Sequence, residues 1–390
     1  MDNPPSTELN QVERPSGQKI SESFEAVLPV SELIVETEAK PTWRIPIRLG
    51  KIFLFSFSLY LFVLAINLMK AGARGITPFI RDLGIISNPI KSLGFGWLFS
   101  YLILSGSPVA AVGLTFFDAG LINEYGTFTM ITGSRLGASF IVLFIGFIYV
   151  LRGRDRATSL SMGILSLTVT ATTYLPGLML GIILLNTGGL DNIQFNSSIM
   201  INSFLEGAIY PVESLLTRFL PPWAIFLTGL GVIVVSLNLF DKCLPQMTLK
   251  ESQIGWVSRL VYRPIVMFIM GAMVTMISMS VSISLSLLVQ LSQRGFVRRE
   301  NVIPYIMGAN ITTFIDTLLA AVLLQDPTAF TIVVVEMISV TIISMAILIV
   351  FYQKYHRSLL NFSDWVTATN SNLTIFMFTI LITPLILFVI

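Results

Sequence analysis

Cysteine and histidine are all but missing: the 390 residues hold one of each, Cys243 and His356. A lone cysteine excludes an intrachain disulfide. A lone histidine excludes His-cluster zinc sites, and it leaves the membrane half of the chain without a Ser-His-Asp triad or a Cys-His dyad. Charge is scarce too, at 12% of residues against about 25% in a soluble domain. The net charge of +2 is too small to call for a polyanionic partner, so no nucleic acid is expected. What fills the space is apolar: 54% of residues are hydrophobic and the mean hydropathy is +0.80. Soluble globular, disordered and nucleic-acid-binding readings fail at this point. The composition is that of a polytopic membrane protein, and few enzyme classes survive so short a supply of catalytic side chains, so no enzyme is expected.

The few charges are unevenly placed. Residues 1–45 carry eight acidic and four basic groups, five prolines and no long apolar run, which reads as a disordered tail. The first apolar span begins near Ile52, too far in for a signal peptide, so the tail is expected in the cytoplasm. Spans long enough to cross about 30 Å of hydrocarbon fall at 52–69, 95–117, 127–151, 159–185, 223–243, 264–292, 302–325, 329–352 and 372–390. All are expected to be helical, because a lone strand leaves its backbone unsatisfied in lipid. Two make poor plain spans. The first of these carries Gly96, Ser105, Gly106, Ser107, Pro108 and Gly113; the other has serine at alternate positions, Ser278, Ser280, Ser282, Ser284 and Ser286. Each suggests a helix broken around a polar cavity, or a re-entrant hairpin.

Charge distribution supports the hairpin. Arg152, Arg154 and Arg156 place the 152–158 loop in the cytoplasm; Lys242, Lys250, Arg259 and Arg263 do so for 244–263, and Arg294, Arg298 and Arg299 for 293–301. Segment 264–292 then starts and ends on one side. One constant, ungapped shift along the chain pairs Gly96 with Gly271, Ser105 with Ser280, Ser107 with Ser282, Gly120 with Gly295, Ile131 with Ile306 and Gly133 with Gly308. Two repeats, each with one hairpin and an odd number of crossings, are inverted, the layout of secondary transporters. Lys70, Arg74, Arg81 and Lys91 run against the positive-inside rule at the first hairpin.

The chemistry concentrates in two segments and their repeat partners: Gly271 to Ser282 and Gly308 to Thr313, paired with Gly96 to Ser107 and Gly133 to Ser139. Hydroxyls, a carboxamide and freed N–H groups are donors for an anion, so Ser105, Ser107, Arg135, Ser280, Ser282, Asn310, Thr312 and Thr313 are the candidate substrate-binding residues. Hydroxyl oxygens and a carboxylate suit a small cation or its coupling, which selects Ser134, Ser139, Thr275 and Asp316. Arg135 offers a fixed cation that can hold an anion bidentately or stand in for a sodium ion. Inverted symmetry brings Asp316 near it, so an Arg135–Asp316 pair is expected. Plainer readings compete. A single serine in a membrane helix most often bonds back to its own turn. Gly96 and Gly271 fit close helix packing as well as a break, whereas Gly133 and Gly308, each followed by polar residues, favour a break. Glu336 lies too deep to snorkel and is either a coupling residue or the partner of another polar group.

On these motifs the chain resembles the type II sodium-dependent phosphate cotransporters, over about 52–352. That family has two inverted repeats, each with a Gln-Ser-Ser-Ser stretch in a re-entrant hairpin and, some two dozen residues on, a Gly-Ala-Asn-Ile-Gly-Thr-Thr-like stretch. Gly308-Ala309-Asn310-Ile311 matches the latter. The resemblance implies that these motifs build phosphate and sodium sites. The chain departs from it at Leu104 and Met279, where the family has glutamine; at Gly106 and Val281, for the middle serines; at Arg135, for asparagine; and at Thr312 and Phe314.

The expected protein is an all-α polytopic membrane protein with two inverted repeats, each with a hairpin and a broken helix. The expected segments are a tail at 1–45, a first repeat at 46–185, an extracytoplasmic loop at 186–222, a second repeat at 223–352, and a linker with an extra helix at 353–390. The expected function is cation-coupled symport of an oxyanion, inorganic phosphate first, across the cell membrane. No cofactor is expected; sodium is the expected coupling ion, with protons as the alternative. Its partners are a small anion and the bilayer, and a homodimer is open. The competing reading is a non-transporting sensor that kept the fold and lost the ion sites.

Overall fold

The computed structural model describes residues 49–82, 88–153, 156–190, 205–243, 263–281 and 299–390, with positions 84, 86, 284 and 285. The expected tail, Ser282, Ser286 and most of the two later basic loops fall outside these residues. Regular structure among the described residues is helical throughout.

Helix α1 (Leu49–Asp82) runs past its expected end through Lys70 and Arg74, with Pro78 inside it; Gly84, just beyond, takes φ +58°. Asn88 opens α2 (Pro89–Ile103) by accepting the Lys91 amide, with proline in the first turn where its missing N–H costs nothing. This helix ends on Leu104, and α3 (Ser107–Asp118) resumes after Ser105 and Gly106. The expected span 95–117 is therefore two helices with a break between them. Helices α4 (Glu124–Ala138) and α5 (Phe140–Leu151) meet at Ser139, and α6 (Arg156–Thr187) has Pro176 inside it. The expected loop at 186–222 is partly helical, with a π turn at Leu205–Ile209 followed by α7 (Tyr210–Phe219). Then come α8 (Pro222–Cys243) and α9 (Pro264–Ser278), which ends on Met279. Helices α10 (Arg299–Thr312), α11 (Ile315–Leu324) and α12 (Pro327–Ala346) follow, the last capped by Asp326. A π stretch at Ile347–Phe351 leads into α13 (Tyr352–Ala368), and α14 (Asn370–Val389) closes the chain. The stretch expected to link to the last helix is thus itself helical, with Leu359, Ser363 and Val366 buried along one face.

Seven helices among the described residues are long and apolar enough to cross a membrane: Gly50–Asp82, Glu124–Leu151, Ser159–Thr187, Pro222–Cys243, Arg299–Leu324, Pro327–Ala368 and Asn370–Val389. The protein is an all-α polytopic membrane protein.

In lipid, helices associate through close packing and polar contacts, and both operate here. Across α1 and α8, Ser58 and Ser236 each donate a hydroxyl to the other's carbonyl, both at 2.7 Å. Across α2 and α4, a Cβ on Gly96 would stand 2.2 Å from the Met130 carbonyl oxygen, and one on Gly133 2.2 Å from that of Leu93. Across α9 and α10 the same contacts recur at the positions that the repeat shift pairs with these: Gly271 against Tyr305 and Gly308 against Phe268, each at 2.0 Å. The same shift carries both ends of Pro89–Ile103 onto the ends of Pro264–Ser278. Gly133 and Gly308, expected to break their helices, do not. Both lie inside continuous helix, where the missing side chain lets two backbones touch. The breaks fall instead after Ile103 and after Ser278.

Candidate functional site

A polar cavity of about 260 Å³ lies where the two breaks converge. The stretch from Ile103 to Pro108 supplies one wall and Met279 to Val281 another. Arg135 and Ser139 from the end of α4, Tyr174 from α6 and Asn310 and Thr313 from the α10–α11 junction fill in the rest, together with the last turns of α8. Both helix ends are shaped by a residue in the left-handed region, Leu104 at φ 55° and Met279 at φ 49°. That turn carries Ser105 and Ser280 into the cavity wall.

Arg135 is the charge at the centre, with 4% of its surface exposed. Its guanidinium donates from Nη2 to Asp316 Oδ1 at 3.0 Å and to the Thr317 hydroxyl. From Nη1 it donates to the Ser107 and Thr313 hydroxyls, both at 3.2 Å. The plane sits over the Phe314 ring, 5.1 Å from its centroid, at the position where the resemblance calls for threonine. Thr317 also donates to Asp316 Oδ1 at 2.9 Å. Removing either partner of such a buried pair typically costs about 3–5 kcal/mol, because the survivor's charge is left uncompensated. Asp316 is 2% exposed and does not line the cavity; it stands behind Arg135 and holds it. The two hydroxyls on Nη1 do line it. An oxyanion in the cavity can take their place on Nη1 without breaking the ion pair.

The other candidate residues divide. Ser105, Ser107, Ser139, Ser280, Asn310 and Thr313 all line the cavity with Arg135. The Asn310 side chain turns toward α6, donating to the Thr170 hydroxyl at 3.1 Å. Thr312, expected at the substrate, instead donates to the Ala272 carbonyl at 2.9 Å, pinning α10 to α9. Ser134 and Thr275, expected at a cation, are also placed otherwise. Ser134 bonds back to the Ile131 carbonyl at 2.7 Å. Thr275 donates to Ser284, 2.7 Å away, which in turn shares a bond with the Tyr305 hydroxyl. Neither residue lines the cavity. Ser282 lies outside the described residues.

Four contributors carry no signal in the sequence. Asp241 and Asn238 line the cavity from α8, and Ser280 hydrogen-bonds the Asp241 carboxylate. In the sequence Asp241 precedes Lys242 and reads as an ordinary charged helix end. Tyr174 donates to the Asn310 carbonyl at 2.7 Å from among threonines that mostly bond back to their own turns. Thr317, adjacent to Asp316, belongs to no motif.

No family model matches the chain, and no solved structure matches it. Curated relatives do. The chain is 30% identical over 96 residues to sodium-dependent phosphate transport protein 2A of Rattus norvegicus, a match covering 25% of this chain and 15% of the relative. It is 28% identical over 121 residues to the proteins of that name from Mus musculus and Ovis aries, covering 28% of this chain and 19% of each relative. The chain therefore spans less than a fifth of the length of these relatives.

Proposed function

We propose that the chain is a secondary transporter of a small oxyanion, inorganic phosphate foremost, coupled to a cation and working by alternating access across the cell membrane with its N-terminus in the cytoplasm. One observation carries the reading: a guanidinium held by a buried carboxylate presents its free edge, through two exchangeable hydroxyls, to a polar cavity between two helix breaks. Arginine binds oxyanions with parallel N–H donors, and a charge kept inside a membrane protein is retained for function by default. Ser105, Ser107, Ser280 and Thr313 complete the anion's donors, with Ser139 on the same wall. The distant similarity to phosphate transport proteins supports the substrate class, and transport proteins as relatives accord with a chain that is not an enzyme. The glycine contacts that recur between α2–α4 and α9–α10 support two repeats, which we take as inverted, with each break the tip of a re-entrant hairpin.

The experiment is uptake of radiolabelled phosphate into proteoliposomes at fixed pH, with and without an inward sodium gradient. Uptake is expected in the native protein. It should be lost in Arg135→Gln/Asp316→Asn, which leaves no uncompensated buried charge. Undiminished uptake in that double variant would remove Arg135 from the site. No uptake by the native protein, and no stabilisation by phosphate or sulfate, would leave the non-transporting sensor as the better reading.

A further inference from the structure

Glu336 on α12 plays no part in the site described so far. It is 1% exposed and lies inside a membrane-spanning helix. Its Oε1 lies 2.7 Å from the Thr132 hydroxyl, and its Oε2 has no partner among the described residues. The Thr132 hydroxyl also lies 3.0 Å from the Phe128 carbonyl, the back-bond usual for a helical threonine. A threonine hydroxyl has one hydrogen, so it makes a full bond to only one of the two acceptors. A proton on Glu336 resolves the conflict: the carboxyl O–H donates to Thr132, and Thr132 donates to Phe128.

The groups facing Glu336 sharpen the point. Arg135, one turn along α4 from Thr132, acts on it electrostatically, and Tyr174 on α6 senses Arg135, Glu336 and Asp316 together. Tyr174 has spent its own hydrogen on the Asn310 carbonyl. Asp316 on α11 has taken Arg135. Of the charged groups on the other packed helices, Arg299 of α10 pairs with Asp364 and Asp118 of α3 with Lys70, while Tyr305 of α10 bonds to Ser284; Glu124 of α4 and Glu300 of α10 stand in the first turns of their helices. Among the described residues Arg135 thus stands between two buried carboxyls, Asp316 and Glu336, apart from Asp241, which bonds to Ser280 across the cavity; Asp316 holds the guanidinium, and a proton on Glu336 balances the second carboxyl.

Resting on the transport reading above, we propose that Glu336 is a proton-binding site and that the proton it carries is the coupling ion. With the proton on, Arg135 is neutralised only by Asp316, and its Nη1 edge accepts a substrate anion. With the proton off, the O–H bond has broken, its electron pair stays on the carboxylate, and the proton has passed to water. Glu336 then competes with the substrate for Arg135. Proton and anion favour each other's binding, by the same factor in each direction, and travel together. Sodium is not required, because Arg135 is a built-in cation.

Two measurements test this. Infrared difference spectra of the purified native protein, on adding phosphate, should contain the C=O stretch of a protonated buried carboxyl. The band should vanish in Glu336→Gln and shift in Thr132→Val, which removes the hydrogen-bond partner without changing shape and serves if Glu336→Gln does not fold. In proteoliposomes without sodium, an inward proton gradient should raise native phosphate uptake several-fold, and uptake by Glu336→Gln should be insensitive to the gradient. A band that persists in Glu336→Gln and is unmoved in Thr132→Val overturns the proton site. Native uptake that needs sodium and ignores the proton gradient overturns the coupling role while leaving the transport reading intact. If no anion moves in any condition, the transport reading falls with the coupling role, and the band alone decides whether Glu336 holds a proton.

Discussion

Leu104 and Met279, positions that one constant shift along the chain pairs, hold the same left-handed backbone at the ends of α2 and α9, with φ 55° and ψ 32° at the first and φ 49° and ψ 18° at the second. Nothing in a leucine or a methionine favours that region, which costs an L-residue roughly 1–2 kcal/mol. The conformation persists because it turns Ser105 and Ser280 into the cavity. Leu104→Gly and Met279→Gly are each expected to stabilise the solubilised protein by up to about 1 kcal/mol once glycine's extra chain entropy is discounted, and so to raise its thermal midpoint. Leu104→Val should lower it, since β-branching makes the left-handed region worse. Equal midpoints for the Gly and Val variants would show that the turn is not strained.

Packing gives a harsher prediction. Alanine at Gly96, Gly133, Gly271 or Gly308 drives a methyl into a backbone carbonyl at 2.0–2.2 Å, and backbone cannot move aside as a flexible side chain can. Each of the four substitutions should cost several kcal/mol or abolish folded expression. On α8, a methyl added at Gly231 would meet nothing within 4 Å, so Gly231→Ala should be neutral or should stabilise by about 1 kcal/mol through helix propensity. Size-exclusion profiles and thermal midpoints of the five variants make the comparison.

The ion pair predicts strong non-additivity. Asp316→Asn alone leaves Arg135 charged and 4% exposed, and should destabilise by about 3–5 kcal/mol. Arg135→Asn alone strands Asp316 in the same way. The double variant loses the attraction but strands neither charge, so it should be more stable than either single variant. Coupling energies from the four-protein cycle should exceed about 1 kcal/mol, and simple additivity would mean that the pair carries no stability of its own.

Much of this is legible in the chain. Apolar runs establish the membrane class, and the repeat shift together with the clusters of Gly and Ser places both breaks to within a few residues. The same shift suggests that Arg135 and Asp316 meet. What the sequence hides is the use each residue is put to. Glycine reads alike whether it breaks a helix or lets two helices touch, so Gly133 and Gly308 mislead. Hydroxyl groups read alike whether they face a cavity, as Thr313 does, or a neighbouring protein oxygen, as Thr312 and Thr275 do. Asp241 and Tyr174 belong to helices outside the motifs, and only tertiary placement brings them to the cavity.

A last prediction concerns the far end of α1, where Asn67, Lys70, Arg74, Asp118, Tyr210 and Glu213 line a second cavity of about 330 Å³. Partial burial raises the Glu213 carboxyl above its ordinary value, and the Lys70 ammonium nearby offsets only part of that. Lys70 is already committed to Asp118 at 2.9 Å and to the Leu324 carbonyl at 3.0 Å, which explains why its help is incomplete. A carboxyl whose value is raised by folding binds its proton more tightly in the folded state. Its contribution to stability is therefore fully present below the unfolded value, near about 4.3, and is lost as pH rises through the folded value. Glu213→Gln removes the ionisation. The variant should melt higher than the native protein at neutral pH, and the gap should close below about pH 4. Thermal midpoints of the two proteins from acid to neutral pH supply the test, and a gap of constant size across that range would assign the effect to packing rather than to charge.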